Sequence, residues 1–280
     1  MWVRRPPSAL FPGYFRIMPR HHRIACSRGP AVLSRRGFLA LAGAGAAAAC
    51  GGSNSTPTSP STVTGRLSAR PQAQRTTLSP GPHVLGRDAG RDDGIIYVPH
   101  GIDPDEALPF AVMLHGAGGT SIDMEFTVPL AEERGVALLL PNSRSLDWDR
   151  VVGSFGRDAT FLDGALAQAF SSCAVDPARV TLGGLSDGAT YAIALGLLNG
   201  DLFTQLVAFS PGILKPVDRY GKPRVFISHG TRDTVLNISF GGRGIAQQLT
   251  AEGYDVTYRE FYGGHEIPDA IAREAFDWLS

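Results

Sequence analysis

Gly184-Leu185-Ser186-Asp187-Gly188 sets a serine between two glycines, each two positions away, at the point where an apolar run ends and a helix-forming stretch begins. The run is Val180-Thr181-Leu182-Gly183, and the stretch is Ala189-Thr190-Tyr191-Ala192-Ile193-Ala194-Leu195. In a chain with 34 glycines the bare G-x-S-x-G pattern arises by chance roughly 0.3 times, so its weight comes from this strand-to-helix context. A serine at the tip of a sharp turn presents its oxygen, and glycines on either side let neighbouring backbone pass without a Cβ clash. The competing reading is a glycine-rich turn with an incidental serine.

A serine hydroxyl attacks a carbonyl only if an imidazole accepts its proton and an acid holds that imidazole in one tautomer. Both residue types follow later in the chain, each after an apolar run. Val225 to Ser228 leads into His229-Gly230-Thr231-Arg232-Asp233, and Val256 to Tyr262 leads into Gly263-Gly264-His265-Glu266-Ile267-Pro268. Of the seven histidines, His21 and His22 lie near the start, His83 and His100 precede the central runs, and His115 and His229 each stand before a glycine. Only His265 ends the last run, which makes it the expected base. Asp233 is the expected acid, with Asp218 as its rival, and His229 reads as a hydrogen-bonded supporting residue. Leu114-His115-Gly116-Ala117-Gly118-Gly119 supplies backbone N–H groups after the run Phe110 to Met113. Ala117 N–H and Asp187 N–H are the expected oxyanion donors. A phosphate cradle is the alternative for this loop, but it carries no lysine and the chain has no G-x-x-x-x-G-K-[ST].

These loops require a scaffold that delivers them to one place. Runs at Gly94 to Val98, Phe110 to Leu114, Val136 to Leu140, Val180 to Gly183, Gln205 to Phe209, Val225 to His229 and Val256 to Tyr262 read as buried strands. Helical spacing falls at Met124 to Arg134, Asp158 to Cys173, Asp187 to Leu198, Ser239 to Glu252 and Pro268 to Leu279. Alternation of this kind predicts an α/β fold, with a mostly parallel sheet covered by helices on both faces and ligands outside the carboxyl ends of the strands. Asp158 is expected to cap its helix. In the long segment Ser145 to Phe155, Trp148 and Phe155 are expected to wall an acyl pocket, and Ile213-Leu214 and Val235-Leu236, after other strands at the same sheet end, to contribute, with core packing as the alternative for each of these. The interval leaves no room for a lid domain, so the pocket is expected to be open and to favour soluble esters of short to medium acyl length.

Together the motifs Leu114-His115-Gly116, Gly184-Leu185-Ser186-Asp187-Gly188, His229-Gly230-Thr231-Arg232-Asp233 and Gly264-His265-Glu266-Ile267-Pro268 resemble the α/β-hydrolase fold over about residues 90 to 280. The last two resemble especially the phospholipase/carboxylesterase family, which includes acyl-protein thioesterases. That resemblance implies serine hydrolysis of esters or thioesters through an acyl-enzyme, with no metal or organic cofactor. Asp187 stands where Gln is common in that family, and export is unusual for its intracellular thioesterases. Secreted polyhydroxybutyrate depolymerases and feruloyl esterases share these loops and remain open as alternatives. A catalytically silent envelope-binding module is the alternative from another class.

The front of the chain has a different chemistry. Eleven of the 26 basic residues fall in residues 1–80, which hold no acid, so residues 81–280 carry 15 basic against 26 acidic groups. With only Lys215 and Lys222 as lysines, that part offers no clustered cations for a nucleic acid. Ser34-Arg35-Arg36-Gly37-Phe38-Leu39 followed by an apolar stretch to Ala49 reads as an export signal and resembles the twin-arginine signal of bacteria. A short buried helix is the alternative. The stretch falls short of the roughly 20 residues that span a bilayer core. Ala47-Ala48-Ala49-Cys50 resembles a lipoprotein box, which would lipidate Cys50 and anchor the protein to a membrane, and it also fits ordinary signal cleavage with release. Residues 1–50 are thus expected to be an export signal starting at Met1 or Met18. Residues 51–82, rich in Ser, Thr and Pro, are expected to be a disordered linker, and residues 83–280 the catalytic domain. Cys173 is the one thiol of that domain, expected as a buried apolar residue, and nothing in the sequence fixes the oligomeric state.

Overall fold

Eight strands form one sheet in the order β1-β2-β4-β3-β5-β6-β7-β8 in the computed structural model, which describes residues 65–152 and 154–279. The strands are β1 (Gly81–Val84), β2 (Gly94–Val98), β3 (Leu108–Leu114), β4 (Ala137–Pro141), β5 (Val175–Leu185), β6 (Gln205–Phe209), β7 (Arg224–Gly230) and β8 (Val256–Phe261). Strands β4, β3, β5, β6, β7 and β8 run parallel, while β1 and β2 pair antiparallel at one edge. The helices are α1 (Thr127–Arg134), α2 (Asp149–Val152), α3 (Arg157–Ser172), α4 (Asp187–Leu198), α5 (Gly242–Ala251) and α6 (Asp269–Trp278). The expected export signal, Cys50 and residues 51–64 of the expected linker lie outside the described residues.

Continuous apolar runs become strands buried on both faces, as β4 and β6 are along their whole length. Alternation along β3 shows why: Phe110, Val112 and Leu114 join the core under α3, α4 and α5, while Ala111 and Met113 join the core under α1 and α6. Helix α4 is apolar all round and buries all twelve of its residues, which places it against the middle of the sheet. Cys173 is free and buried, and burial pushes its thiol up to about 11.

Strand β1 and the short helix α2 are not among the expected elements. Strand β1 is four residues long, carries Pro82 and sits at an edge, where a missing N–H costs no ladder bond. The linker expected to reach residue 82 is corrected from residue 65 onward, because that stretch is strapped to the domain. Leu67 and Ala69 are buried in the core. Leu67 N–H donates to Asn199 Oδ1 at 2.8 Å, Ser68 and Ala69 N–H donate to Asp163 Oδ1 at 2.7 and 2.8 Å, and Arg66 and Arg70 pair with Asp201 at 2.8 and 2.6 Å. Composition conceals this because the strap is held mainly through polar partners on the domain.

Candidate active site

Ser186 follows β5 with φ 59°, a left-handed conformation that costs a non-glycine residue on the order of 1–3 kcal/mol. The turn is pinned on both sides: Ser186 N–H donates to Phe209 O at 2.9 Å, and Ser186 O accepts the Thr190 N–H and hydroxyl at 3.0 and 2.9 Å. Its flanking glycines are forced by contact with the end of β3. A Cβ on Gly184 would lie 2.6 Å from Leu114 O, and one on Gly188 would lie 2.4 Å from His115 O. A Cβ on Gly116 would meet Ser186 Cβ at 3.5 Å, so the glycine loop after β3 runs directly beside the serine. That loop is shaped by Gly118 N–H donating to Leu146 O at 2.7 Å and Gly119 N–H donating to Gly116 O at 3.0 Å, and it leaves Ala117 exposed. Asp187 N–H belongs to the first turn of α4, where helices leave amides without an intrahelical acceptor.

His115 braces the same loop. Its Nδ1–H donates to Gly116 O at 2.7 Å and its Nε2 accepts Ser143 N–H at 3.1 Å, so the ring is neutral, and burial pushes its pKa down.

On the other side of β6, the loops after β7 and β8 bring Asp233 and His265 together. His265 Nδ1 lies 2.6 Å from Asp233 Oδ2, with the acid side chain fully buried and the imidazole 17% exposed. Asp233 Oδ1 accepts Val235 N–H at 2.8 Å and Leu236 N–H at 2.9 Å. Burial alone would raise this carboxyl, but the hydrogen bonds from His265 and from the two amides hold it below the usual range. Asp218, the alternative acid, is exposed in the connection between β6 and β7. Ser186, Asp233 and His265 follow the carboxyl ends of β5, β7 and β8 in the parallel part of the sheet, with β6 between the first two, at the sheet end where an open α/β sheet takes its ligand.

No protein-family model and no curated protein matches the sequence. Solved structures do match in shape. The esterase PE8 superposes with a TM-score of 0.56 at 24% identity, over 67% of this chain and 97% of its own. A Bacillus cereus carboxylesterase gives 0.52 at 20% identity, over 66% and 92%. The Staphylococcus aureus fluorophosphonate-binding serine hydrolase FphF gives 0.57 at 15% identity, over 72% and 99%. The chain has the α/β-hydrolase fold.

Within this α/β-hydrolase fold, the residues expected to wall a pocket take different places. Trp148 is corrected: its side chain is fully buried, its Nε1–H donates to His115 O at 3.0 Å, and its ring lies 5.1 Å from His115 and 5.3 Å from Tyr191. It is a strut under the glycine loop. Phe155 is 8% exposed, packs edge-on to Tyr191 at 5.6 Å and borders an open groove of about 340 Å³ with Arg150, Leu198 and Val217. Leu214 lines a cavity of about 10 Å³ with Thr190 and Ala194, and Leu236 packs over Gly212. Asp158 is also corrected. Gly156 occupies the cap position of α3, while Asp158 accepts N–H groups from Arg144 and Asp149, and Asp149 accepts from Asp158 N–H at 2.8 Å. These two acids clamp residues 142–156 onto the domain.

Asp187 and a set of exposed apolar side chains complete the site. The Asp187 carboxylate accepts Trp148 N–H at 2.7 Å, and burial pushes it up to about 6, with Asp147 and Asp158 adding to the rise. Leu146, Ile213, Val235, Phe240 and Tyr262 are all largely exposed, and each stands in a loop after the carboxyl end of a strand. Together they give this end of the sheet an apolar rim.

Proposed function

We propose that the chain is a serine hydrolase that cleaves carboxylic esters or thioesters through an acyl-enzyme. Ser186 Oγ attacks the carbonyl carbon while His265 Nε2 takes its proton, and the Asp233 carboxylate stabilises the imidazolium that results. The oxyanion is met by Ala117 N–H and Asp187 N–H. Collapse of the tetrahedral adduct expels the alcohol or thiol, which leaves with the proton from His265. Water, deprotonated by His265, then releases the acid and restores Ser186. The observation that carries this reading is the 2.6 Å hydrogen bond between His265 and Asp233 at the sheet end that also holds Ser186 in its strained turn. A phospholipase/carboxylesterase-type specificity is the subtype the motifs favour.

A fluorophosphonate probe tests the reading, and such a probe is named for one of the solved proteins that share the fold. Mass spectrometry of the folded protein should find the adduct on Ser186, lost in Ser186→Ala, together with release of p-nitrophenol from p-nitrophenyl butyrate. A folded protein that leaves Ser186 unlabelled would instead be the silent binding module.

The exposed rim of Leu146, Ile213, Val235, Phe240 and Tyr262 favours a second reading, in which the ester is presented on a polymer or aggregate. Polyhydroxybutyrate and feruloyl substrates, run beside soluble p-nitrophenyl esters, separate the two. For the front of the chain we propose export through the twin-arginine-like segment and either lipidation of Cys50, which would anchor the enzyme on the cell envelope, or cleavage and release. Intact mass of the mature protein distinguishes these.

A further inference from the structure

The carboxylate of Asp233 faces two imidazoles. Besides His265 Nδ1 at 2.6 Å, His229 Nε2 lies 3.1 Å from the same Oδ2 and 3.2 Å from Leu236 O. His229 ends β7 and is fully buried. Its tautomer follows from its other nitrogen: Nδ1 accepts the Gly242 N–H at 3.2 Å, so the ring's hydrogen is on Nε2, directed at Leu236 O and Asp233. The donor is the first amide of α5, whose positive end also opposes a second proton on the ring. Glycine makes this approach feasible. A Cβ on Gly242 would lie 2.8 Å from His229 Nδ1, and one on Gly241 would lie 3.1 Å from Cε1. Burial pushes the His229 pKa down, in agreement with a neutral ring.

We propose that His229 is the positioning residue of this site: its Nε2–H holds the Asp233 carboxylate, and through it the orientation and basicity of His265. The proposal rests on the hydrolase reading above. It also explains why one of two histidines beside the acid is the base. Both nitrogens of His229 are committed and its ring is sealed from solvent, whereas His265 keeps Nε2 and part of its surface free for the serine. With His229 in place, Asp233 Oδ2 accepts from His265 Nδ1 and lies 3.1 Å from His229 Nε2, whose single hydrogen it shares with Leu236 O, while Oδ1 accepts two backbone N–H groups, which together fix the plane of the carboxylate. The other charged groups facing His229 are Glu260 on β8, itself paired with Arg243 of α5 at 2.8 Å, and His265.

Loss of the His229 donor leaves Asp233 more basic. A more basic Asp233 either binds the His265 imidazolium more tightly or takes up a proton itself, and both move the loss of activity to higher pH. The acidic limb of kcat/KM should therefore rise by about half a pH unit or more in His229→Leu, with kcat down by about tenfold and KM changed by less than about twofold. His229→Gln, whose amide places an N–H near the position of Nε2, should return the limb to that of the parent. A limb that stays in place in His229→Leu overturns the proposal, even if activity falls.

Should His229→Leu not fold, nitrogen NMR of the unaltered protein with isotope-labelled histidine decides. His229 should show the neutral Nε2–H form at pH 7 and take up a proton only at lower pH than an ordinary imidazole. An Nδ1–H form at pH 7, or protonation at or above the ordinary imidazole range, overturns the proposal. Fluorophosphonate labelling of Ser186 in the same samples keeps this outcome separate from failure of the hydrolase reading.

Discussion

The half of the candidate site that holds Ser186 and the half that holds Asp233 and His265 are held by different physics. Around Ser186 the constraint is steric: β3, β5 and α4 approach so closely that Gly184 and Gly188 leave no room for a Cβ, and the turn is fixed by backbone contacts inside the core. Around Asp233 and His265 the two loops also meet closely, since a Cβ on Gly230 would lie 2.2 Å from Gly264 O, but the two side chains are placed by polar contacts. The loop after β7 is mostly exposed and the one after β8 mostly half-buried, a Cβ added to Gly264 would meet nothing within 4 Å, and the side chains depend on hydrogen bonds converging on one carboxylate. Damage to the first half should therefore appear as lost stability, and damage to the second as lost activity in a folded protein.

The largest expected effect lies on the Ser186 hydroxyl, the proposed nucleophile, where neither kind of scaffold can compensate. Ser186→Ala should lower kcat on p-nitrophenyl butyrate by about 10⁶ if the three side chains act as a unit. Removing the hydroxyl should leave the fold in place, since the turn is held through the Ser186 backbone. A residual rate within tenfold of the parent would remove Ser186 from the mechanism.

A pair of glycine substitutions tests the contrast directly. In Gly184→Ala the added Cβ sits 2.6 Å from Leu114 O and 2.8 Å from the Gly188 carbonyl carbon, both backbone atoms of packed elements. Urea denaturation should show a loss of about 2–4 kcal/mol. Gly264→Ala, next to His265, should cost less than about 0.5 kcal/mol because its Cβ would enter open space. Equal losses at the two positions would erase the distinction drawn between the halves.

The two halves also differ in how far their sequence announces them. The turn at Ser186 is readable because steric demand leaves a local mark: glycines at fixed offsets between an apolar run and a helix. Asp233 and His265 follow glycines that are also crowded, Gly230 and Gly263, but not at offsets that single out an acid or a base, and they are reached through chain order and their places after β7 and β8. They are hydrogen-bonded to one another, while Asp218 stands apart and exposed. The central strands are legible because strands buried on both faces must be apolar throughout, as β4 and β6 are. What stays hidden is held by polar contacts between distant residues. The strap at Leu67 to Thr77 depends on Asn199, Asp163 and Ser172, which no local composition could disclose. Trp148, apolar and in a long segment, looks like a pocket wall, yet its indole N–H finds a carbonyl inside the core.

The smallest expected effect concerns Asp187, which follows Ser186 in the first turn of α4, offers its N–H as the proposed oxyanion donor, and has its carboxylate locked into the packed side. Burial raises that carboxyl from 3.8 to about 6, so the folded protein binds this proton more tightly than the unfolded chain does. Stability from this group is therefore greatest below the unfolded value, falls as pH rises from about 4 to 6, and stays reduced above that. A rise of that size corresponds to a cost on the order of 2–3 kcal/mol at about pH 8. Asparagine cannot ionise, but its side-chain oxygen can still accept the Trp148 N–H that Asp187 holds at 2.7 Å. Asp187→Asn should accordingly match the parent near pH 4 and exceed it by roughly 1–2 kcal/mol at pH 8, measured by urea denaturation at each pH. Because an ionised carboxylate beside Ser186 opposes a developing oxyanion, kcat of the variant at pH 8 should also rise, by about two- to fivefold. Parallel stability curves for the two proteins from about pH 4 to pH 8 would mean that Asp187 ionises as freely in the fold as outside it, and that its carboxylate is not the electrostatic burden its burial implies.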